Sequence, residues 1–340
     1  MSDKLLLHPS DQPVFRLLVD VRACAAEVRI NDIPVWSNRD ALASRATLAI
    51  NEWLFSGEND IAFHLTAPPG ADAGPNTKSI LPAAAGVSAM LLYKKNRTPW
   101  LAMQEVHGWS YLHEEDFDTF QSDTTARQYA IQAEPPPPAA NGEEEPGPQP
   151  PPSLPQPPAP AETPPLLHPG QTTSLTPDPI PLEWLPAGTG LRGGFILKLP
   201  AVWPQCPWAR ALDLSAMPGL DYTVGRLTRS VTDSLQRRDW GTLRRLFADR
   251  RAALQAAYYL TDAAADESLA FPSLLQDQTA KVHSPDPQQI KASLCARGRL
   301  IRAVTETGAP AVSLVSPAFA CQAEIETFWM NYGQEWRLAR

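Results

Sequence analysis

Cysteine is scarce in this chain. Its four thiols, Cys24, Cys206, Cys295 and Cys321, stand singly and none forms a CxxC pair, which argues against a zinc ribbon or a thioredoxin-type redox centre. They read as small buried hydrophobes of a reducing compartment. Cys24 and Cys206 would bridge only if they met on neighbouring strands. Long apolar runs are missing too: no stretch reaches the ~20 apolar residues of a membrane span. The opening run Leu5-Leu6-Leu7 is broken by Pro9, so no secretory leader is expected and the expected location is the cytoplasm. No GK[ST] follows the glycines of Gly188–Gly194, so a phosphate loop is not expected. No GxSxG nucleophile elbow occurs, nor any HExxH or EF-hand spacing.

Clustered positive charge is absent from the N-terminal half. Residues 1–134 carry 11 basic and 17 acidic side chains, whereas residues 219–340 carry 15 and 13, within a net charge of −8. A nucleic-acid partner needs grouped Lys and Arg to neutralise phosphates, and none is expected. The pairs Arg237-Arg238, Arg244-Arg245 and Arg250-Arg251 are spaced as a solvated helix face.

Proline is what the chain has in excess, with 37 in 340 residues. From Pro135 to Pro169 almost every other residue is proline, mixed with Ala, Gln, Glu, Gly and Thr. Such a tract lacks apolar content to pack and backbone donors to pair, so a disordered or polyproline-like insertion is expected over 135–170. Pro148-Gln149-Pro150-Pro151 and Pro155-Gln156-Pro157-Pro158 have the spacing that proline-reading modules accept; a passive spacer is the plainer reading.

The segments around the tract read as strands. Phe15, Leu17, Val19 and Val21 alternate with Arg16, Leu18, Asp20 and Arg22. Glu27–Ile30 repeats the pattern and ends in the turn pair Asn31-Asp32. Ile33–Trp36 contains Pro34 and is expected at an edge. Ala46–Ile50, Asp60–Leu65, Val87–Lys95, Arg127–Ala133 and Phe195–Leu199 complete the set. If residues 126–133 paired with 191–199, the tract would close a giant hairpin, a tolerable insertion because loop-closure cost grows slowly with length. Many short strands with frequent turns predict a β-sandwich or jelly roll over residues 10–215, with residues 134–190 as the inserted stretch.

From Pro218 the period changes. Leu227, Val231 and Leu235 form a helical stripe. Asp239 is placed to cap a helix carrying Trp240, Leu243, Leu246 and Phe247, and a helical run continues through Leu254, Ala257, Tyr258 and Leu260. Ser284-Pro285 reads as a further helix start. Strands are predicted at Arg299–Thr305, Ala311–Val315, Phe319–Trp329 without a break, and Glu335–Leu338. Helices followed by a strand meander predict an α+β unit over 218–340, and a fold that is mainly β plus α+β.

Two resemblances accompany this reading. The segments EVRINDIPVW (Glu27–Trp36) and INEWLFSGENDIAFHL (Ile50–Leu65) resemble the galactose-binding-like β-sandwich, with Asp32 where glycine is usual. Gly57 permits the tight turn there and Asn59 can hold it through side-chain bonds to backbone. The segment SLQRRDWGTLRRLFADR (Ser234–Arg251), followed by a strand pair ending FWMNYGQEWRLAR, resembles the nuclear-transport-factor-two-like cone of polyketide-cyclase-like proteins and ketosteroid isomerases. That cone implies helices packed on a curved antiparallel sheet. The resemblance also implies a role as a bacterial immunity or adaptor protein, which compact cone-like domains without a catalytic pocket commonly fill.

The candidate ligand or interface residues are Trp36, Trp53, Trp109, His107 and His113. Trp36, Trp53, Trp100 and Trp109, if they lie on sandwich loops, have the chemistry to stack on sugars or to anchor an interface. His107 and His113, followed by Glu114, Glu115, Asp116 and Asp118, contain imidazoles and carboxylates but no strict ligand spacing, so no metal and no cofactor is expected. Tyr222, Tyr258, Tyr259 and Tyr332, with Asp262 and Asp266, are the groups an isomerase dyad would draw on, but no catalytic residue is assigned. The expected function is non-enzymatic protein binding, of an immunity or adaptor type. The alternatives are carbohydrate binding through the sandwich and an isomerase- or cyclase-like enzyme with a C-terminal pocket.

Overall fold

The computed structural model describes residues 6–7, 12–67, 81–82, 84–96, 98–99, 103–113, 118–123, 173–175, 177–185, 190–199, 203, 206–269, 276–317, 321–333 and 335–339. The proline tract, the strand expected at 126–133, Trp100 and the acidic residues Glu114, Glu115 and Asp116 lie outside them. Among the described residues the first half is built on strands, with a 3₁₀ turn at Asn51–Trp53 after the fifth: β1 (Leu6–Leu7), β2 (Pro13–Arg22), β3 (Ala25–Ile30), β4 (Ile33–Asn38), β5 (Ser44–Ala49), β6 (Gly57–Thr66), β7 (Gly86–Lys95), β8 (Gln104–His113), β9 (Asp118–Asp123), β10 (Thr173–Ser174), β11 (Asp178–Trp184) and β12 (Gly190–Leu199). The helices α1 (Leu220–Gln236), α2 (Trp240–Leu246), α3 (Ala248–Tyr258) and α4 (Asp262–Glu267) follow. Last come β13 (Lys281–His283), β14 (Lys291–Cys295), β15 (Leu300–Val304), β16 (Val312–Ser316), β17 (Cys321–Ile325), β18 (Phe328–Asn331) and β19 (Trp336–Leu338). The fold is mainly β, with an α+β C-terminal part.

Two five-stranded antiparallel sheets, ordered β5-β2-β7-β8-β9 and β11-β12-β6-β3-β4, form a sandwich. Alternation decides which side chains enter it. Phe15, Leu17, Val19 and Val21 of β2 are fully buried, and so is the Ile61, Phe63 and Leu65 face of β6. The Asn31-Asp32 turn has φ of +53° and +66° at its two residues, the left-handed geometry that matches strand twist in a two-residue hairpin. Asparagine and aspartate visit it at low cost, which is how Asp32 replaces a glycine. Asn31 then works a second time: its amide donates to the Trp53 carbonyl at 2.7 Å and to Asn59 Oδ1 at 3.0 Å. Asn59, wholly buried, donates to the Phe55 carbonyl at 2.8 Å and accepts from the Phe55 N–H at 2.9 Å.

The glycine-rich stretch is the strand β12. A Cβ at Gly194 would meet the Ile61 carbonyl oxygen at 2.1 Å, and one at Gly193 would meet the Trp109 ring at 2.8 Å. Glycine is therefore required for close strand approach and for seating Trp109. The giant hairpin is overturned. β12 pairs with β11 on one side and β6 on the other, so neither ladder edge is open to residues 126–133. The neighbour is instead Asp178–Trp184, from within the stretch expected to be insertion. Its Pro179 and Pro181 suit it to the sheet edge it occupies.

In the C-terminal part α1 buries Val224, Val231 and Leu235, and Asp239 caps α2 by accepting from the Thr242 N–H at 3.0 Å. Two expectations fail. No helix opens at Ser284-Pro285; Asp286 caps only a single 3₁₀ turn, Pro287–Gln289, before β14 begins. The continuous strand Phe319–Trp329 is two strands, because β17 pairs with β16 whereas β18 pairs with β15. The crossing between sheets falls at Glu326-Thr327. There Glu326 accepts from Arg302 Nε at 2.7 Å, and the Thr327 carbonyl accepts from the Ala303 N–H at 3.1 Å. This half has its own core around Val231, Leu243, Ile301, Leu314 and Trp329, while Leu300, Phe328 and Met330 join the sandwich core.

Candidate functional site

A cleft of about 500 Å³ opens where the sandwich meets the helices. Its floor is the outward face of the sheet at β5, β2 and β7. Val14 of β2 lies opposite Lys94 of β7, and Arg16 lies opposite Ala49 of β5. Outward positions two residues apart on adjacent strands are diagonal neighbours, so Arg16 and Lys94 are brought side by side. The wall is α3, with Arg250, Leu254 and Tyr258, and the single-turn 3₁₀ helix Asn51–Trp53 that follows β5.

One buried asparagine holds floor and wall together. Asn51 Oδ1 accepts from the Phe15 N–H at 2.7 Å, and its amide donates to the Pro13 carbonyl and the Ala257 carbonyl, each at 2.8 Å. Next to it, Arg250 pairs with Glu52 at 2.9 Å, with side-chain exposures of 11% and 7%. The Arg250 guanidinium lies 5.5 Å from the Trp53 ring centroid. So dry an ion pair is held by geometry and costs desolvation on both sides.

The charges of the cleft perturb each other. Burial lowers the Arg16 pKa, with Tyr258 opposing. Burial also lowers that of Lys94, and the Arg16 charge beside it adds to the effect. The Lys94 ammonium is anchored to the carbonyls of Asn96 and Thr98 at 3.1 and 2.8 Å. Tyr258 is pushed well up, by burial first and by the Glu52 carboxylate second.

The sequence-predicted residues fall unevenly on this site. Trp53 reaches it and is only 3% exposed, while Trp36 is half-buried against the sandwich core. Trp109, 2% exposed, stacks on Phe63 inside the sandwich. Neither Trp53 nor Trp109 is a solvent-facing loop platform: Trp53 is buried in the cleft wall and Trp109 inside the sandwich. His107 is fully buried with its ring against Phe195, and His113 is bonded to the Tyr111 hydroxyl at 2.9 Å. Both point into the sandwich. Among the described residues no three His, Cys, Asp or Glu side chains group as metal ligands. Cys24 and Cys206 are not joined: Cys24 donates to the Gly86 carbonyl and Cys206 to that of Leu54.

Sequence reading missed Arg16, Glu52, Lys94 and Arg250. Arg250-Arg251 was expected on a solvated face; Arg250 is instead buried on Glu52, and Arg251 bonds Asp266. Charged residues on the outward face of a strand look alike whether or not a helix later covers them. Among the described residues no helix is long and apolar enough to cross a membrane. Comparison with known proteins finds no matching family model, no similar curated protein and no similar solved structure.

Proposed function

We propose that this chain is a non-enzymatic binding protein with a protein partner, in an immunity- or adaptor-like role, and that the cleft between sandwich and helices is its contact. The observation that carries this reading is the composition of the cleft, in which Trp53, Tyr258, Arg16 and Arg250 share one concave surface with Leu254 and Leu260. Tryptophan, tyrosine and arginine in a packed pocket are the side chains that concentrate binding energy at interfaces, and clefts between packed units are where ligands bind. The resemblance of residues 219–340 to cone-like domains supports the same role. Glu52 is the carboxylate among the described lining residues, and its commitment to Arg250 suits a fixed charge better than a proton shuttle.

The test is capture of a partner by the tagged full-length chain from its native lysate, run beside Ala49→Trp, which puts a bulky ring at an exposed position of the cleft lining. The reading expects a stoichiometric protein that Ala49→Trp loses while its thermal unfolding stays close to that of the unaltered chain. Equal capture by both, or no protein captured, overturns it.

A further inference from the structure

We infer that the open edge of β13 receives an extended, acidic-apolar segment of a partner protein as an added strand. This is a second contact, apart from the cleft. β13 pairs with β16 on one side and ends its sheet, so among the described residues no strand lies on its other side. An uncovered ladder edge is a template for a further strand. Three other edge strands are blunted. β11 carries Pro179 and Pro181, β4 carries Pro34, and the Ala292 N–H of β14 is taken by Asp221 at 2.8 Å. β13 contains no proline.

A groove of about 350 Å³ lies beside β13 at the C-terminal end of α1, with Leu235, Ala280, Val282 and Leu314 in its lining and Lys281 and His283 at its rim. Alternation separates the two chemistries. Val282, opposite Leu314, packs toward the core that holds Leu235. Lys281 and His283, opposite Val315 and Ser313, project from the other face and are exposed. Among the described residues neither the Lys281 nor the His283 side chain has a hydrogen-bond or ion-pair partner, and no Asp or Glu lines the groove. A strand laid antiparallel on this edge sets an apolar side chain opposite Val282 and acidic ones opposite Lys281 and His283, cross-strand pairs of complementary charge. A second copy fits poorly. Antiparallel pairing of two β13 strands about Val282 sets Lys281 against His283 with no anion on either side, so charge selects an acidic strand over self-pairing.

Calorimetric titration and hydrogen exchange of the full-length chain test it. The probes are acetyl-Val-Glu-Val-Glu-Val-amide, its Lys-for-Glu counterpart, and the Glu peptide N-methylated at its internal amides. The expected result is that the Glu peptide binds and slows exchange at Val282 and its neighbours. The Lys peptide should bind about fivefold more weakly or worse, the scale of two reversed cross-strand charge pairs. The N-methylated peptide lacks the donors for a ladder and should lose binding. Lys281→Glu, a change at an exposed position, should invert the preference between the Glu and Lys peptides. His283→Glu gives an independent reading should Lys281→Glu fail to fold. Equal affinity for the Glu and Lys peptides, equal affinity for the N-methylated one, protection elsewhere in the chain, or no binding by any probe overturns the inference. So does a dimer of the free chain that protects the same amides, which would assign the edge to a second copy.

Discussion

The side chain of Asn51 donates to the Ala257 carbonyl at 2.8 Å, across 206 residues of sequence. This single amide ties the C-terminal end of α3 to the first strand of the sandwich, because it also bonds the Phe15 N–H and the Pro13 carbonyl. Asn51 is 1% exposed, so each group it leaves unpaired would be left dry. Asn51→Ala is expected to destabilise the chain by about 2–4 kcal/mol, the cost of orphaning buried backbone groups. Denaturant unfolding checks the size. Hydrogen exchange checks the location, with faster exchange at the end of α3 and around Pro13–Phe15.

Much of the fold can be read from residue order, and the cleft cannot, for one physical reason. Alternation in β2 and β6 and the Asp239 cap are local signals, and local signals survive into structure. Pairing partners are not local. Residues 126–133 have a strand-like pattern, yet the sheet gave β12 two other neighbours. Phe319–Trp329 alternates without a break, yet the strand changes sheet where Glu326 meets Arg302. The tryptophans make the same point: strand pairing and sheet packing turn Trp109 inward onto Phe63, while Trp53 lies on the 3₁₀ turn after β5 and joins the cleft wall. Arg16, Lys94 and Arg250 are 78 and 156 residues apart, and adjacent strands and a returning helix bring them together.

The Glu52–Arg250 pair should behave as a matched unit. Arg250→Met leaves a buried carboxylate beside Trp53 and Tyr258 and is expected to cost about 3–5 kcal/mol. Adding Glu52→Gln to it should recover much of that loss, since the orphaned charge is gone. A double-mutant cycle on unfolding free energies reads the coupling. Additive losses would mean that the pair is not coupled through the cleft wall.

Trp109 stacks on Phe63 with ring centroids 4.5 Å apart, and it does so over Gly193. Gly193→Ala would push a methyl into the indole and into Leu182. Overpacking of this kind costs about 1–3 kcal/mol. Trp109→Leu should cost several kcal/mol, on the scale of large-to-small core changes. The double variant should be less damaging than the sum, because the smaller side chain vacates the space the alanine needs. Additivity in thermal unfolding would separate the two residues.

Three cysteines should be silent in the native state. Burial pushes the Cys24 thiol up to about 11 and the Cys206 thiol up to about 12, and raises that of Cys295 further. At pH 8 almost none of each is thiolate, the reactive form. Iodoacetamide should therefore label all three slowly in buffer and rapidly in denaturant, as read by peptide mapping. Fast native labelling of Cys206 would mean that the corner around Trp203 and Trp208 opens.

His64 gives the chain a defined acid sensitivity. It sits on the outward face of β6, opposite Glu27 on β3 and Arg192 on β12. Burial, then the charges of Arg29 and Arg192, lower its pKa from 6.5 to about 4, with Asp32 opposing. The unfolded chain takes up this proton near the ordinary value and the folded chain does so only near 4. The stability held by neutral His64 is therefore complete above pH 6.5 and declines as pH falls toward 4. Asp60, on the same face, is raised by burial against the pull of Arg192. Its effect on stability runs in the opposite direction, so the comparison has to be between variants. The urea midpoint of His64→Gln should lose less than that of the unaltered chain between pH 6.5 and 4. Parallel pH profiles for the two proteins would show that the histidine titrates normally in the fold, and that the arginines on either side do not act on it.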